Sequence, residues 1–240
     1  MIAAIVPAHN EERLIGPCLQ ALQSAARHPG LAGEAVAIVV ALDRCSDATA
    51  AVCRRFGVHA VRVEAGCVGV ARAVASEHAL SLGARWIGCT DADSRVPADW
   101  LWRQVACEAG AFCGVVSVDD WLDYPPSVRQ QFLLGERAQD GHHHVHGANM
   151  GFSAAAYRSS GGFLPLATGE DVALIDAIQR SGARVARLAA PQVVTSARRH
   201  ARASHGFSDF LKRLERSIGD TPASSGLAVC ATGIKPAGAC

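Results

Sequence analysis

At 240 residues, half of them hydrophobic, the chain can bury a sizeable core in one large α/β domain or two small ones, and one domain is the simpler reading. A formal net charge of +1, with no aromatic-rich basic repeat, argues against broad nucleic-acid binding. Nine cysteines without paired CxxC spacing fit neither a zinc site nor a complete set of disulfides, so they read as reduced thiols of a cytoplasmic protein. No basic segment followed by a long apolar one precedes the first strand, and no run of 18 uncharged apolar residues occurs, so neither a signal peptide nor a membrane span is expected.

Short apolar runs alternate with helical patterns, which predicts βα units and a largely parallel sheet. Strands are expected over 2–6, 35–42, 58–63, 86–90 and 112–118, with helices near 12–27, 46–56, 67–82 and 97–108. That order sets Asn10, Asp43, Gly66 and Asp91 beyond the carboxyl ends of successive strands, the edge at which open α/β sheets bind ligands. The second half is less regular: a loop over 119–126, a helix over 127–139, a strand over 145–152 and a helix over 170–181 closed by Gly182. Phe207, Phe210, Leu211, Leu214 and Ile218 then form one apolar stripe at helical spacing, read as core packing, with Lys212, Arg213 and Arg216 outside it. From Gly219 onward Ala, Gly, Ser and Pro dominate, so the expected layout is a domain over 1–218 and a flexible tail over 219–240.

The segment Trp86-Ile87-Gly88-Cys89-Thr90-Asp91-Ala92-Asp93 carries the sharpest chemical signal. In an extended chain, side chains i and i+2 leave one face, so Asp91 and Asp93 can meet one cation while Ala92 points away. Magnesium and manganese favour oxygen ligands and take few from the protein, leaving the rest to substrate phosphates and water. Alone, the same residues read equally well as a polar turn after a strand. Gly66-Cys67-Val68-Gly69-Val70-Ala71-Arg72 opens a helix after a strand, so its amides are placed to meet an anion, yet the full dinucleotide fingerprint is missing.

These stations together resemble the GT-A glycosyltransferases, most closely those of family 2. The matching residues are Ile5-Val6-Pro7-Ala8-His9-Asn10-Glu11-Glu12, Ala41-Leu42-Asp43-Arg44-Cys45-Ser46-Asp47, Asp91-Ala92-Asp93-Ser94, Gly147-Ala148-Asn149-Met150-Gly151-Phe152, Gly161-Gly162-Phe163 and Gly169-Glu170-Asp171, spread over roughly residues 1–215. The resemblance implies a Rossmann-like three-layer sandwich with a mostly parallel central sheet, and a transfer of sugar from a nucleotide-diphosphate sugar to a hydroxyl acceptor. It implies that Pro7, His9, Glu12 and Asp43 hold the nucleotide base, that Arg72 lies near the donor's phosphates or base, and that Asp91, Ala92 and Asp93 meet the donor and a Mg2+ or Mn2+ ion. It also implies a general base from the Glu170-Asp171 pair, Asp171 in particular, with inversion at the anomeric centre, and a metal-binding histidine near the C-terminus, His200 or His205. Ala73 and Val74 depart from the family's pattern, in which Asn often follows the arginine.

Each station has a plainer reading beside it. Asn10-Glu11-Glu12 suits a helix start, Asp43 a cap ahead of the next helix, and Glu170-Asp171 a helix N-terminus with Thr168 as its cap. Arg198, Arg199, His200, Arg202 and His205 read as a solvated basic surface or a peripheral contact with anionic membrane as readily as a strap over the diphosphate. His142, His143, His144 and His146 lack a defined ligand geometry and read as an acceptor-side loop in preference to a zinc site. Two other functions remain open at this point, a nucleotidyltransferase of the same fold and a catalytically silent nucleotide-sugar binding protein.

Overall fold

A computed structural model describes residues 1–136, 138–199 and 206–219. Strands β1 (Ile2–Ala8), β2 (Val36–Asp43), β3 (His59–Val63) and β4 (Trp86–Cys89) run parallel, and helices α1 (Ile15–Ala26), α2 (Thr49–Phe56) and α3 (Val68–Ser81) connect them. After α4 (Trp100–Ala106) come β5 (Ala111–Ser117), α5 (Pro126–Gly135), β6 (Met150–Ser153), α6 (Ala154–Ser160), α7 (Glu170–Arg180), β7 (Val185–Val194) and α8 (Phe207–Gly219). The seven strands make one sheet in the order β3-β2-β1-β4-β6-β5-β7, in which β6 alone runs antiparallel to both its neighbours.

Both faces of the sheet are covered, which is why its central strands are apolar almost throughout. Along β1, Ile2, Ala4 and Val6 pack with α1, α2 and α4, while Ala3 and Ile5 pack on the other face with α3, α6 and α7. α1 buries Ile15, Cys18, Leu19, Leu22 and Ala25, the three-and-four spacing of a helix with one apolar face. The layers are therefore helix, sheet, helix, as the resemblance implied. A smaller cluster joins α5 to α8 through Val128, Phe132 and Leu211, so the stripe of α8 is core packing, although Phe210 stays 40% exposed.

The second half differs from expectation in three places. The strand expected over 145–152 is a loop up to Asn149, because a turn closes with Asn149 N–H donating to the His146 carbonyl at 2.8 Å. A short helix, α6, fills the space before Gly161; the Ser153 hydroxyl caps it by accepting from Ala156 N–H at 3.1 Å. β7 had no counterpart in the sequence reading, because Pro191 and polar residues interrupt its pattern; as an edge strand it tolerates proline. The helix beginning expected at Ser46 begins instead at Thr49, where the Asp47 carboxylate accepts from Thr49 N–H at 2.9 Å. His200, and the tail from residue 220 onward, lie outside the described residues, as do Arg202 and His205.

Candidate active site

The carboxyl ends of β1, β2 and β4 open into a cavity of about 650 Å³. Pro7, His9, Asp43, Arg72, Asp91, Ala92, Asp93, Glu170 and Asp171 all line it, so most of the residues singled out in the sequence meet in one place.

Arg72 organises the cavity floor. It is buried, and its guanidinium is hydrogen-bonded both to Glu170 and, at 2.7 Å, to Asp91 Oδ1. Burial alone would lower the affinity of Arg72 for its proton, but the surrounding anions Asp91, Glu170 and Asp171 hold it protonated. Burial raises the Glu170 carboxyl, against the pull of Arg72. Glu170 is thus committed to Arg72 and buried, and Asp171 is the more exposed acid of the pair. Asp171 Oδ2 accepts from Gly147 N–H and Oδ1 from Val172 N–H, both at 2.8 Å, which fixes the carboxylate and leaves further lone pairs free. Gly147 has to be glycine, since a Cβ there would overlap the clamped Arg72 guanidinium. α7 starts from Gly169, at φ 74°, with no side-chain cap, so Thr168 does not fill the capping role considered for it.

Asp91 and Asp93 share the cavity by a different geometry from the one expected. β4 ends at Cys89, and residues 91–94 form a turn closed by Ser94 N–H donating to the Asp91 carbonyl at 3.1 Å. Asp91 faces Arg72, whereas Asp93 faces Arg198, whose Nη2 lies 3.1 Å from Asp93 Oδ2. Nη1 of Arg198 lies 2.7 Å from Glu11 Oε1. The end of β7 brings Arg198 there: Arg95 N–H donates to the Val194 carbonyl at 2.8 Å, and the Ser94 and Thr195 hydroxyls are 2.9 Å apart. Burial pushes the Asp93 carboxyl up to about 6; Arg198 pulls it down, and Asp91 and Glu11 push it up further. Around this end five carboxylates, Glu11, Asp91, Asp93, Glu170 and Asp171, face two guanidiniums, Arg72 and Arg198. That excess of negative charge, offered by oxygen donors at the cavity wall, fits a hard divalent cation at Asp91 and Asp93.

Asp43 is more committed than its position suggested. Its carboxylate accepts from Ala65, Gly66 and Cys67 N–H at 2.9, 2.8 and 2.9 Å, so the amides read as an anion site already hold an anion of the chain itself. One oxygen keeps room for a further donor. His9 Nδ1 sits 2.7 Å from the Asp43 carbonyl, which orients its ring at the cavity edge. Glu12, expected beside these residues, is not among those that line the cavity. Asn10 takes a left-handed φ of 54°, and the chain then turns Glu11 inward and Glu12 outward, where Glu12 Oε2 accepts from Ala48 N–H at 2.9 Å at the start of α2. Sequence reasoning missed Glu11 and Arg198 as wall residues. Two adjacent glutamates offer no clue to which faces in, and Arg198 was one cation in a basic run.

The profile of glycosyl transferase family 2 matches residues 3–159. Comparison with curated protein sequences finds no significant match. Among solved structures, S. aureus TarS 1-349 in complex with UDP-GlcNAc superposes with a TM-score of 0.64 at 18% identity, over 90% of this chain and 65% of that one. The mannosyltransferase PcManGT from Pyrobaculum calidifontis, in complex with GDP-Man and Mn2+, gives 0.63 at 19%, over 90% and 60%. Glucosyl-3-phosphoglycerate synthase from Mycobacterium tuberculosis, in complex with Mn2+, UDP and glucosyl-3-phosphoglycerate, gives 0.59 at 16%, over 91% and 77%. The chain thus spans less than two thirds of the TarS and PcManGT chains. No described helix is long and apolar enough to cross a membrane. With the family's profile matching well over half its length, and a GT-A sheet beneath the cavity, the chain belongs to glycosyl transferase family 2.

Proposed function

We propose that the chain transfers a sugar from a nucleotide-diphosphate sugar to a hydroxyl acceptor, with inversion at the anomeric carbon and with Asp171 as general base. The observation that carries this reading is the meeting of Asp91, Asp93, Arg72 and Asp171 on one cavity. Asp91 and Asp93 would hold a Mg2+ or Mn2+ ion, which when bound supplies charge stabilisation to a departing diphosphate. Arg72, fixed by two carboxylates, directs its charge at the same place. Pro7, His9 and the remaining lone pair of Asp43 orient the nucleoside at the rim. Asp171 takes the acceptor's hydroxyl proton as that oxygen bonds to the anomeric carbon, and the bond from that carbon to the diphosphate breaks. Glu170 is a positioning residue that acts through Arg72.

Ligand complexes of the structural neighbours support this reading: TarS with UDP-GlcNAc and PcManGT with GDP-Man and Mn2+. The direct test incubates the protein with Mn2+ and UDP-, GDP-, CDP- and dTDP-sugars and identifies the product. Release of a nucleoside diphosphate is expected. Pyrophosphate released from a nucleoside triphosphate would make the protein a nucleotidyltransferase, and donor binding with neither transfer nor hydrolysis would make it a silent binding protein.

A further inference from the structure

The histidine-rich loop has no part in the transfer just described. Its rings form a row: His142 and His144 are 5.6 Å apart, and His144 and His146 stack 5.7 Å apart with their planes 12° from parallel. Alternate residues of an extended segment share one side, so the spacing His-x-His-x-His puts three imidazoles together. Glu136, just past the last turn of α5, meets two of them. His146 Nε2 is 2.7 Å from Glu136 Oε1, and His144 Nδ1 is 3.7 Å from Glu136 Oε2.

The ligand atoms of Glu136, His144 and His146 all lie within 4.8 Å of one another, and all three residues line the cavity. His146 Nε2 and His144 Nδ1 approach different oxygens of Glu136, at 2.7 and 3.7 Å, close to the about 3.3 Å between neighbouring ligand atoms around a tetrahedral zinc, so one Glu136 oxygen is free to turn to a metal once its hydrogen bond to His146 is given up. Two imidazoles and a carboxylate also suit a borderline transition metal better than magnesium. Behind His144, the ring of His142 is buried at 4% exposure, with Nδ1 unpartnered among the described residues, which leaves the row short of hydrogen bonds where it is most enclosed.

We propose that Glu136, His144 and His146 bind a divalent transition metal of the zinc class, separate from the cation at Asp91 and Asp93, with its open coordination position reached from the cavity. On the glycosyltransferase reading, that position takes an oxygen of the acceptor. Metal-stripped protein titrated with Zn2+ in a calorimeter, and with Co2+ followed by visible absorption, is expected to take up one equivalent of either at this site, beyond any held by Asp91 and Asp93. His144→Ala removes the most exposed of the three ligands, at 31%, without stranding a buried group, and should weaken uptake by at least about tenfold. Glu136→Gln should do the same, and His144→Ala decides should that variant not fold. Stoichiometric uptake unchanged in His144→Ala, or no uptake by the parent protein, overturns the proposal and leaves the cluster as a hydrogen-bonded Glu136–His146 pair. Binding of UDP, GDP, CDP and dTDP with Mn2+, followed in the same samples, should survive His144→Ala for whichever of them the parent protein takes; binding of none of the four by the parent would refute the donor reading while leaving the zinc result to stand or fall separately.

Discussion

The two ends of the cavity are assembled by different means. At the donor end, His9, Asp43 and Asp93 come from the carboxyl ends of β1, β2 and β4 in the parallel half of the sheet, and Asp43 is fixed by nearby backbone through three amides, while Arg72 reaches in from α3. At the end proposed for the acceptor, Asp171, Gly147 and Glu136 come from segments scattered over the second half, which long-range polar ties hold together. Asn149 is the chief of these: its Nδ2 donates to the Val115 and Pro191 carbonyls at 2.8 Å, and its Oδ1 accepts from Trp100 Nε1 at 2.9 Å. Arg199 is another, bonded to Asp123 and Glu215 and lying 4.1 Å above the Tyr124 ring. A site can thus be half local turn chemistry and half remote polar fastening, and the two halves should fail in different ways.

The largest effect expected is chemical. Asp171→Asn should lower transfer by about 10³-fold while leaving donor affinity within a small factor, as a general base acts in the reaction and not in donor binding. Turnover near that of the parent protein would remove Asp171 from the role. Next, Asn149→Ala strands one buried donor and two carbonyls at the acceptor end. It should cost about 3–4 kcal/mol, read as a melting point lower by about 10 °C, whereas a shift of a degree or two would show that this tie is not what holds the half together.

A smaller effect separates the donor end by its charge. Burial pushes the Asp93 carboxyl up to about 6, so the folded protein holds that proton more tightly than the unfolded chain does. The associated stability is fully present below about pH 4 and is lost as pH rises through 6. In metal-free buffer Asp93→Asn should therefore gain on the parent protein between pH 4 and 7.5, by on the order of 2 kcal/mol, and parallel stability curves would contradict the strain assigned to this acid. The smallest effect distinguishes two neighbours. Glu12→Gln should cost about 1 kcal/mol or less through the start of α2 and leave donor affinity alone, whereas Glu11→Gln, beside Arg198, should change that affinity. Equal behaviour of the two variants would erase the distinction between inward and outward glutamates.

Legibility followed the same division. The first four strands and the acids at their ends were readable, because apolar runs ending in Asp or Asn are local patterns. Which acid faces in was not, since the turn at Asn10 depends on its hydrogen bonds to the segment after β2. β7 was hidden by Pro191, and the loop ending at Asn149 resembled a strand because Asn149 is buried by distant partners that a local window does not contain. Glu136 was invisible as a partner of the histidines for the same reason, although the alternation of His142, His144 and His146 was a usable signal that they share a side.

The claim on which the rest depends is that Asp91 and Asp93 hold a divalent cation against a nucleoside diphosphate. Calorimetric titration of UDP and GDP into the parent protein and into Asp93→Asn, each with and without Mn2+, tests it most directly. For at least one nucleotide, the parent should bind at least tenfold more tightly with Mn2+ than without, and Asp93→Asn should lose that difference. Binding that is indifferent to Mn2+, or an Mn2+ dependence that survives in Asp93→Asn, would contradict the account.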